Sequence, residues 1–160
     1  MTINVGDRVP AGTFKIMTKE GPANLSSDAL FADKTVVVFS VPGAFTPTCD
    51  ARHLPGFLEH ADAFAAKGVD TIACLAVNDV FVMNAWAKAS QVNDKLTMLV
   101  DGNGDFTKAL GLGLDASGFG MGQRGQRFAF VAKNGVVTQL HIEAAGQFKV
   151  SAADYVLGQL

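Results

Sequence analysis

Thr35-Val36-Val37-Val38-Phe39, followed by Val41-Pro42-Gly43-Ala44-Phe45-Thr46-Pro47-Thr48-Cys49, is the stretch on which the fold of this chain turns. The apolar, β-branched run, bounded by Pro and Gly, reads as a buried strand. After Cys49 come Asp50-Ala51-Arg52-His53 and a long helical pattern, which predicts Cys49 where a strand ends and a helix begins. Backbone N–H groups at a helix start stabilise an anion, which favours a thiolate there. Thr46, three residues earlier, can reach the sulfur within one turn. Its hydroxyl can donate to the thiolate or to a polar substrate and still accept a bond. Pro42 fixes its own backbone and lines the pocket without presenting a donor. A small pocket, apolar on one wall and polar at its base, suits a short, weakly polar electrophile.

The same reading extends in both directions. Thr13–Ile16 is predicted as a short strand, Gly21-Pro22 as a turn, and Ser26–Phe31 as a short capped helix. Thr35 to Val41 forms the first core strand. Downstream of Cys49, Leu54, Phe57, Leu58, Ala61 and Phe64 make a helical stripe, with Pro55 expected to kink or restart it. Asp70–Val77, containing Cys74, is near-continuously apolar, as in a central strand of a parallel sheet. Asn78 and Asp79 are predicted N-caps for a helix through Trp86. Leu96–Val100 reads as a third strand and Asp105 as the start of another short helix. Gly111–Gly125 is glycine-rich and reads as a long loop. Arg127–Ala132 and Val136–Ile142 flank Asn134-Gly135, a strong hairpin signal. Ser151-Ala152-Ala153-Asp154 resembles a capping box with Asp in place of Glu, opening the last helix. Strand–helix alternation closed by a hairpin and a helix gives an α/β sandwich.

Composition narrows the function classes. The 160 residues suggest one domain, residues 1–160, with room for a sizeable core. At 49% hydrophobic and 18% charged the chain is not of disordered type. A net charge of −2 favours neither nucleic acid nor an anionic membrane as partner. No signal-peptide core or bilayer-spanning run is evident, so a cytoplasmic protein with reduced thiols is expected. Two cysteines are too few for a disulfide framework and match no zinc spacing. Carboxylates Asp50, Asp79, Asp101 and Asp105 show no metal-ligand spacing either, so no metal and no cofactor are expected. Cys74 reads as a small buried hydrophobe.

Arg127 and Arg124 are the cationic candidates, because a guanidinium stays charged and offers several donors in a fixed plane. Arg127 opens a strand and is the better fixed of the two. His53, four residues after Cys49, lies on the same helix face. A nucleophile–base pair would also need an orienting group and an oxyanion hole, for which the sequence shows no sign. His53 is therefore expected to support the site by hydrogen-bonding pocket backbone. His60 and His141 read as surface or structural residues. Gly120-Met121-Gly122-Gln123-Arg124-Gly125 fits G-x-G-x-x-G but lacks the preceding strand and following helix of a dinucleotide site. Phe45, Phe81, Trp86 and Phe119 are candidates for a hydrophobic interface, although core packing is the safer reading for any one of them.

Pro42 to Cys49 resembles the peroxidatic-cysteine motif of the peroxiredoxins, in the form found in the peroxiredoxin-5 subfamily. His53-Leu54-Pro55-Gly56-Phe57, Val77-Asn78-Asp79, Trp86 and Arg127-Phe128 continue the match over nearly the whole chain. The resemblance implies a thioredoxin-like fold, with a central mixed sheet flanked by helices, and a homodimer with the Phe45 loop near the contact. It implies a thiol peroxidase acting on hydrogen peroxide and organic hydroperoxides through a sulfenic acid on Cys49. Thr46 and Arg127 would bind the peroxide and Pro42 would shield the sulfur; the family's catalytic arginine precedes an aromatic at this strand start, as Arg127 does. Many relatives resolve the sulfenic acid with a cysteine near the C-terminus. Gln147-Phe148-Lys149-Val150-Ser151 contains none, so an external thiol, glutathione, glutaredoxin or thioredoxin, is expected to reset Cys49. A redox sensor or holdase that oxidises without turnover is the alternative reading.

Overall fold

The computed structural model describes residues 1–160. Seven strands form one sheet in the order β2-β1-β5-β4-β3-β8-β9. Its centre is parallel: β3 (Thr35–Ser40) pairs with β4 (Thr71–Ala76), and β4 with β5 (Thr97–Val100). The flanks are antiparallel. On one side lie β1 (Thr13–Thr18) and β2 (Gly21–Ser26), on the other β8 (Phe128–Lys133) and β9 (Val136–Ile142). The mixed sheet is as expected.

Strand alternation divides the interior into two layers. Val37, Phe39 and Val41 point to one face, together with Ile72 and Cys74. There they meet α2 (Leu54–Glu59), α3 (Ala61–Ala66), α4 (Val80–Ala89) and α6 (Ala153–Gly158) through Leu54, Phe57, Phe64, Met83, Trp86 and Val156. Val36 and Val38 point to the other face and meet α1 (Ser27–Phe31) and α5 (Asp105–Ala109) through Phe31 and Phe106. The β-branched run buries both of its faces because helices cover both.

Local signals were read correctly where they were self-contained. Ser26 caps α1 by accepting from the Ala29 amide at 3.0 Å, and Asp79 caps α4 through the Val82 amide at 2.8 Å. Asn134 and Gly135 turn the β8–β9 hairpin with φ of 48° and 77°, the left-handed pair that such a turn needs.

Three expectations need correcting. Gly21-Pro22 begins edge strand β2 rather than forming the turn; Pro is tolerated at the start of an edge strand. Gly111–Gly125 is not one long loop, since β6 (Gly113–Asp115) and β7 (Gln123–Gly125) pair within it. Ser151 does not cap α6: Ala152 occupies that position without a side-chain bond, and the Ser151 hydroxyl donates to Glu143 at 2.7 Å.

Candidate active site

The chain leaves β3 at Ser40 and re-enters helix at Pro47–Thr48, so Cys49 lies in the first helical turn. Cys49–His53 then forms a turn of π-helix, in which the Leu54 amide donates to the Cys49 carbonyl. Pro55 explains the widening. It has no N–H, and its ring would collide with the carbonyl four residues back, so the helix opens before it and restarts as α2. The kink expected from Pro55 therefore takes the form of a wide turn beneath Cys49 and His53.

The connecting loop is tightly built. Phe45 is a non-glycine residue at φ 63°, a conformation that costs about 1–3 kcal/mol and survives only where the surroundings enforce it. Here the Asn78 side chain accepts from the Ala44 amide at 2.9 Å, and the Thr46 hydroxyl donates to the Gly43 carbonyl at 2.7 Å. A Cβ on Gly43 would lie 3.1 Å from Thr46 Cγ2 and 3.3 Å from Arg124 Nη1, so any larger residue would push on the Thr46 and Arg124 side chains. Thr46 thus spends its proton on Gly43 and turns no hydrogen toward the sulfur. Its oxygen remains able to accept. Pro42 is half-buried in the same loop.

Arg127 comes to this turn from across the sheet, one residue before β8. Its Nη2 donates to Cys49 Sγ at 3.1 Å and its Nη1 to His53 Nδ1 at 2.8 Å. A guanidinium can only donate, so His53 Nδ1 accepts and the ring hydrogen is on Nε2. That hydrogen goes to the Ser151 carbonyl at 3.0 Å. The His53 pKa is lowered to about 3, chiefly by burial and secondly by the Arg127 charge, against the Ser151 carbonyl and Glu143. With both nitrogens bonded elsewhere, His53 is a neutral support for Arg127 and not a proton acceptor for Cys49.

Cys49 itself has no exposed surface. Phe148 sits over the site, its ring 5.0 Å from the His53 ring, with the Arg52 and Arg127 guanidinium carbons 4.7 Å and 5.9 Å from its centre. Arg124 is held away from the thiol: Nε donates to the Met121 carbonyl at 2.9 Å and Nη1 to the Val77 carbonyl at 3.3 Å. It is better fixed than its glycine-rich setting suggests. Cys74 is wholly buried, and burial, then the nearby Cys49, push its thiol well above the usual range, with Arg127 opposing.

Beyond the expected residues, the site draws on Asn78, which reads from the sequence only as a helix cap, and on Glu143, Phe148 and the Asp50–Trp86 hydrogen bond, which lie outside the residues expected there. Trp86, for which core packing is the safer reading of the sequence, is fully buried and donates to Asp50 at 2.8 Å. Glu143 is the sole acidic residue between Val136 and Lys149, a faint signal that something there uses its charge.

A cationic fork fixed on a buried sulfur fits the comparisons with known proteins. The Redoxin family profile matches residues 4–157. Peroxiredoxin-2B of Arabidopsis thaliana is 45% identical over 159 residues, 99% of this chain and 98% of that protein. Reduced Prx3 of Vibrio vulnificus, solved in complex with hydrogen peroxide, shares 49% identity over 99% of both chains, with a TM-score of 0.95. Peroxiredoxin 5 of Alvinella pompejana shares 33% over 97% of this chain and 96% of that one, with a TM-score of 0.86. The chain belongs to the redoxin family as a peroxiredoxin of the peroxiredoxin-5 type, with a thioredoxin-like fold.

Proposed function

We propose that this peroxiredoxin reduces hydrogen peroxide and organic hydroperoxides with Cys49 as the attacking thiolate, and that an external thiol resets it. The observation that carries this reading is the Arg127 fork, bonded to Cys49 Sγ at 3.1 Å and braced by His53 at 2.8 Å. Peroxide enters between Thr46 and Arg127 when the covering Phe148 side chain gives way. The thiolate attacks the terminal peroxide oxygen, forming the S–O bond as the O–O bond breaks. The sulfur is oxidised to a sulfenic acid, and the departing oxygen takes the electron pair and a proton from solvent, leaving as water or an alcohol. Arg127 donates to the oxygens on which charge develops. Thr46 accepts the peroxide O–H, the role left to it by its bond to Gly43. Pro42 walls the pocket without competing as a donor.

The surroundings of Cys74 support resetting by an external thiol, read here as glutathione, directly or through a glutaredoxin. That thiol is held protonated by burial, and a thiol is a weak nucleophile compared with its thiolate. Glutathione attacks the sulfenic sulfur, water leaves, and a second thiol releases Cys49 from the mixed disulfide. Thioredoxin is the less favoured reductant. A reducing compartment such as the cytoplasm suits this cycle. Exposed Phe45, Phe81 and Phe119, at 50%, 66% and 86%, support a homodimer.

Steady-state peroxide consumption with glutathione, glutathione plus glutaredoxin, and thioredoxin tests the reading. Turnover is expected with glutaredoxin present and none in Cys49→Ser. Turnover surviving in Cys49→Ser refutes the assignment of Cys49. Oxidation of Cys49 with no turnover under any reductant points instead to a redox sensor.

A further inference from the structure

Glu143 stands just past β9, nearly buried at 9% exposure, and plays no part in the chemistry above. One oxygen, Oε2, accepts from the Lys149 amide at 2.6 Å, the Ser151 amide at 2.9 Å and the Ser151 hydroxyl at 2.7 Å. Burial raises its pKa, but these bonds outweigh it and hold the carboxyl below its usual range. Three donors converging on one anionic oxygen is a large commitment for a surface turn of seven residues, Ala144–Val150. Two things depend on that turn. The Ser151 carbonyl receives His53 Nε2–H at 3.0 Å, and Phe148 covers His53 and Arg127.

We propose that Glu143 is a positioning residue for peroxide attack, anchoring a line of hydrogen bonds through Ser151, His53 and Arg127 to Cys49 Sγ. Each link constrains the next. Glu143 fixes the peptide groups around Ser151. The Ser151 carbonyl fixes the His53 tautomer and ring plane. His53 Nδ1 then holds one Nη of Arg127, leaving the other aimed at the sulfur and the incoming oxygens. Loss of the anchor frees the ring to rotate and the fork to swing, and displacement of a transition-state donor by an ångström costs far more rate than stability.

The inference rests on the proposed role of Cys49 and Arg127, and its test separates the two. In Glu143→Ala, single-turnover reduction of hydrogen peroxide should slow about tenfold or more, while alkylation of Cys49 by iodoacetamide slows several-fold less. Alkylation needs the thiolate that Arg127 favours but no donor aimed at a departing peroxide oxygen. In an Arg127→Ala background the same change should cost less than about twofold, since the line then has no end. Glu143→Asp, which keeps charge and fold but withdraws the carboxylate, should slow peroxide reduction by about threefold or more and serves if the alanine variant does not fold. A peroxide rate within about twofold of wild type in both variants overturns the proposal, as does a matched fall in alkylation, or an undiminished effect without Arg127. Turnover in Cys49→Ser, by contrast, overturns the functional reading itself.

Discussion

Cys49 and Cys74 lie in the same apolar cluster and neither has exposed surface, yet their chemistry diverges. Cys74 stands mid-strand, opposite Phe39 in the neighbouring strand, with hydrocarbon around it. Cys49 stands in the first turn of a helix with a guanidinium hydrogen-bonded to its sulfur. What separates them is one cation, brought from a residue 78 positions away and held by a neutral histidine. On the proposed role of Cys49, its partner group sets its reactivity more than access does.

Removing that cation should make Cys49 behave like Cys74, and this is the largest effect expected. Arg127→Ala should slow peroxide reduction by about 10²–10³-fold, the range for losing one charge-stabilising donor. Arg124→Ala should cost less than about tenfold, since its bonds to Met121 and Val77 position the loop without touching the sulfur. Stopped-flow rates for the two variants decide it. Equal losses would mean that the cation at 3.1 Å is not what distinguishes the two cysteines.

The histidine that holds the cation offers a pH-dependent version of the same contrast. His53 has a folded pKa of about 3 against an ordinary 6.5. Between these values the unfolded chain binds the proton that the folded chain refuses, so stability is full above about pH 6.5 and is lost as pH falls toward 3. At pH 4.5 the loss from this group is about 3 kcal/mol. His53→Gln keeps a donor and an acceptor but does not titrate. Denaturant unfolding at pH 7 and 4.5 should show wild type losing about 2–3 kcal/mol more than the variant. Parallel losses would show that folded His53 takes up its proton as readily as the unfolded chain and is not held neutral by Arg127 and burial.

The two cysteines also mark how far the sequence could be read. The strand Thr35–Ser40, the turn carrying Cys49, the Asp79 cap and the Asn134-Gly135 hairpin are set by neighbours a few residues away, and their patterns showed them. The line from Cys49 through Arg127 and His53 to Ser151 joins residues 78, 74 and 98 positions apart. No local pattern encodes such distances; only the resemblance at Arg127-Phe128 pointed there. Ser151 shows the cost. Its local sequence favours a helix cap, and a tertiary partner, Glu143, outbids the cap for its hydroxyl. Trp86 reads more safely as core and is core, but its bond to Asp50, 36 positions away, has no local signal.

The smallest expected effect is at Cys74, and it sharpens the comparison because it is small. Its side chain shares a sheet face with Cys49, so orientation alone does not keep the two sulfurs apart. What does is that Cys74 is locked in ladder register on both sides, opposite Phe39 and Met98, and held protonated by burial. Attack on the sulfenic acid would require a mid-strand residue to leave the sheet and to ionise in hydrocarbon. Glutathione, already in solution, meets neither barrier. Cys74→Ala should therefore leave glutathione-dependent turnover within about twofold of wild type, and lower stability by about 1 kcal/mol through the small cavity left behind. Mass spectrometry of peroxide-treated wild type with glutathione should find the adduct on Cys49. A dominant Cys49–Cys74 bond, together with lost turnover in Cys74→Ala, would make the buried thiol the resolving partner and erase the distinction between the two sites.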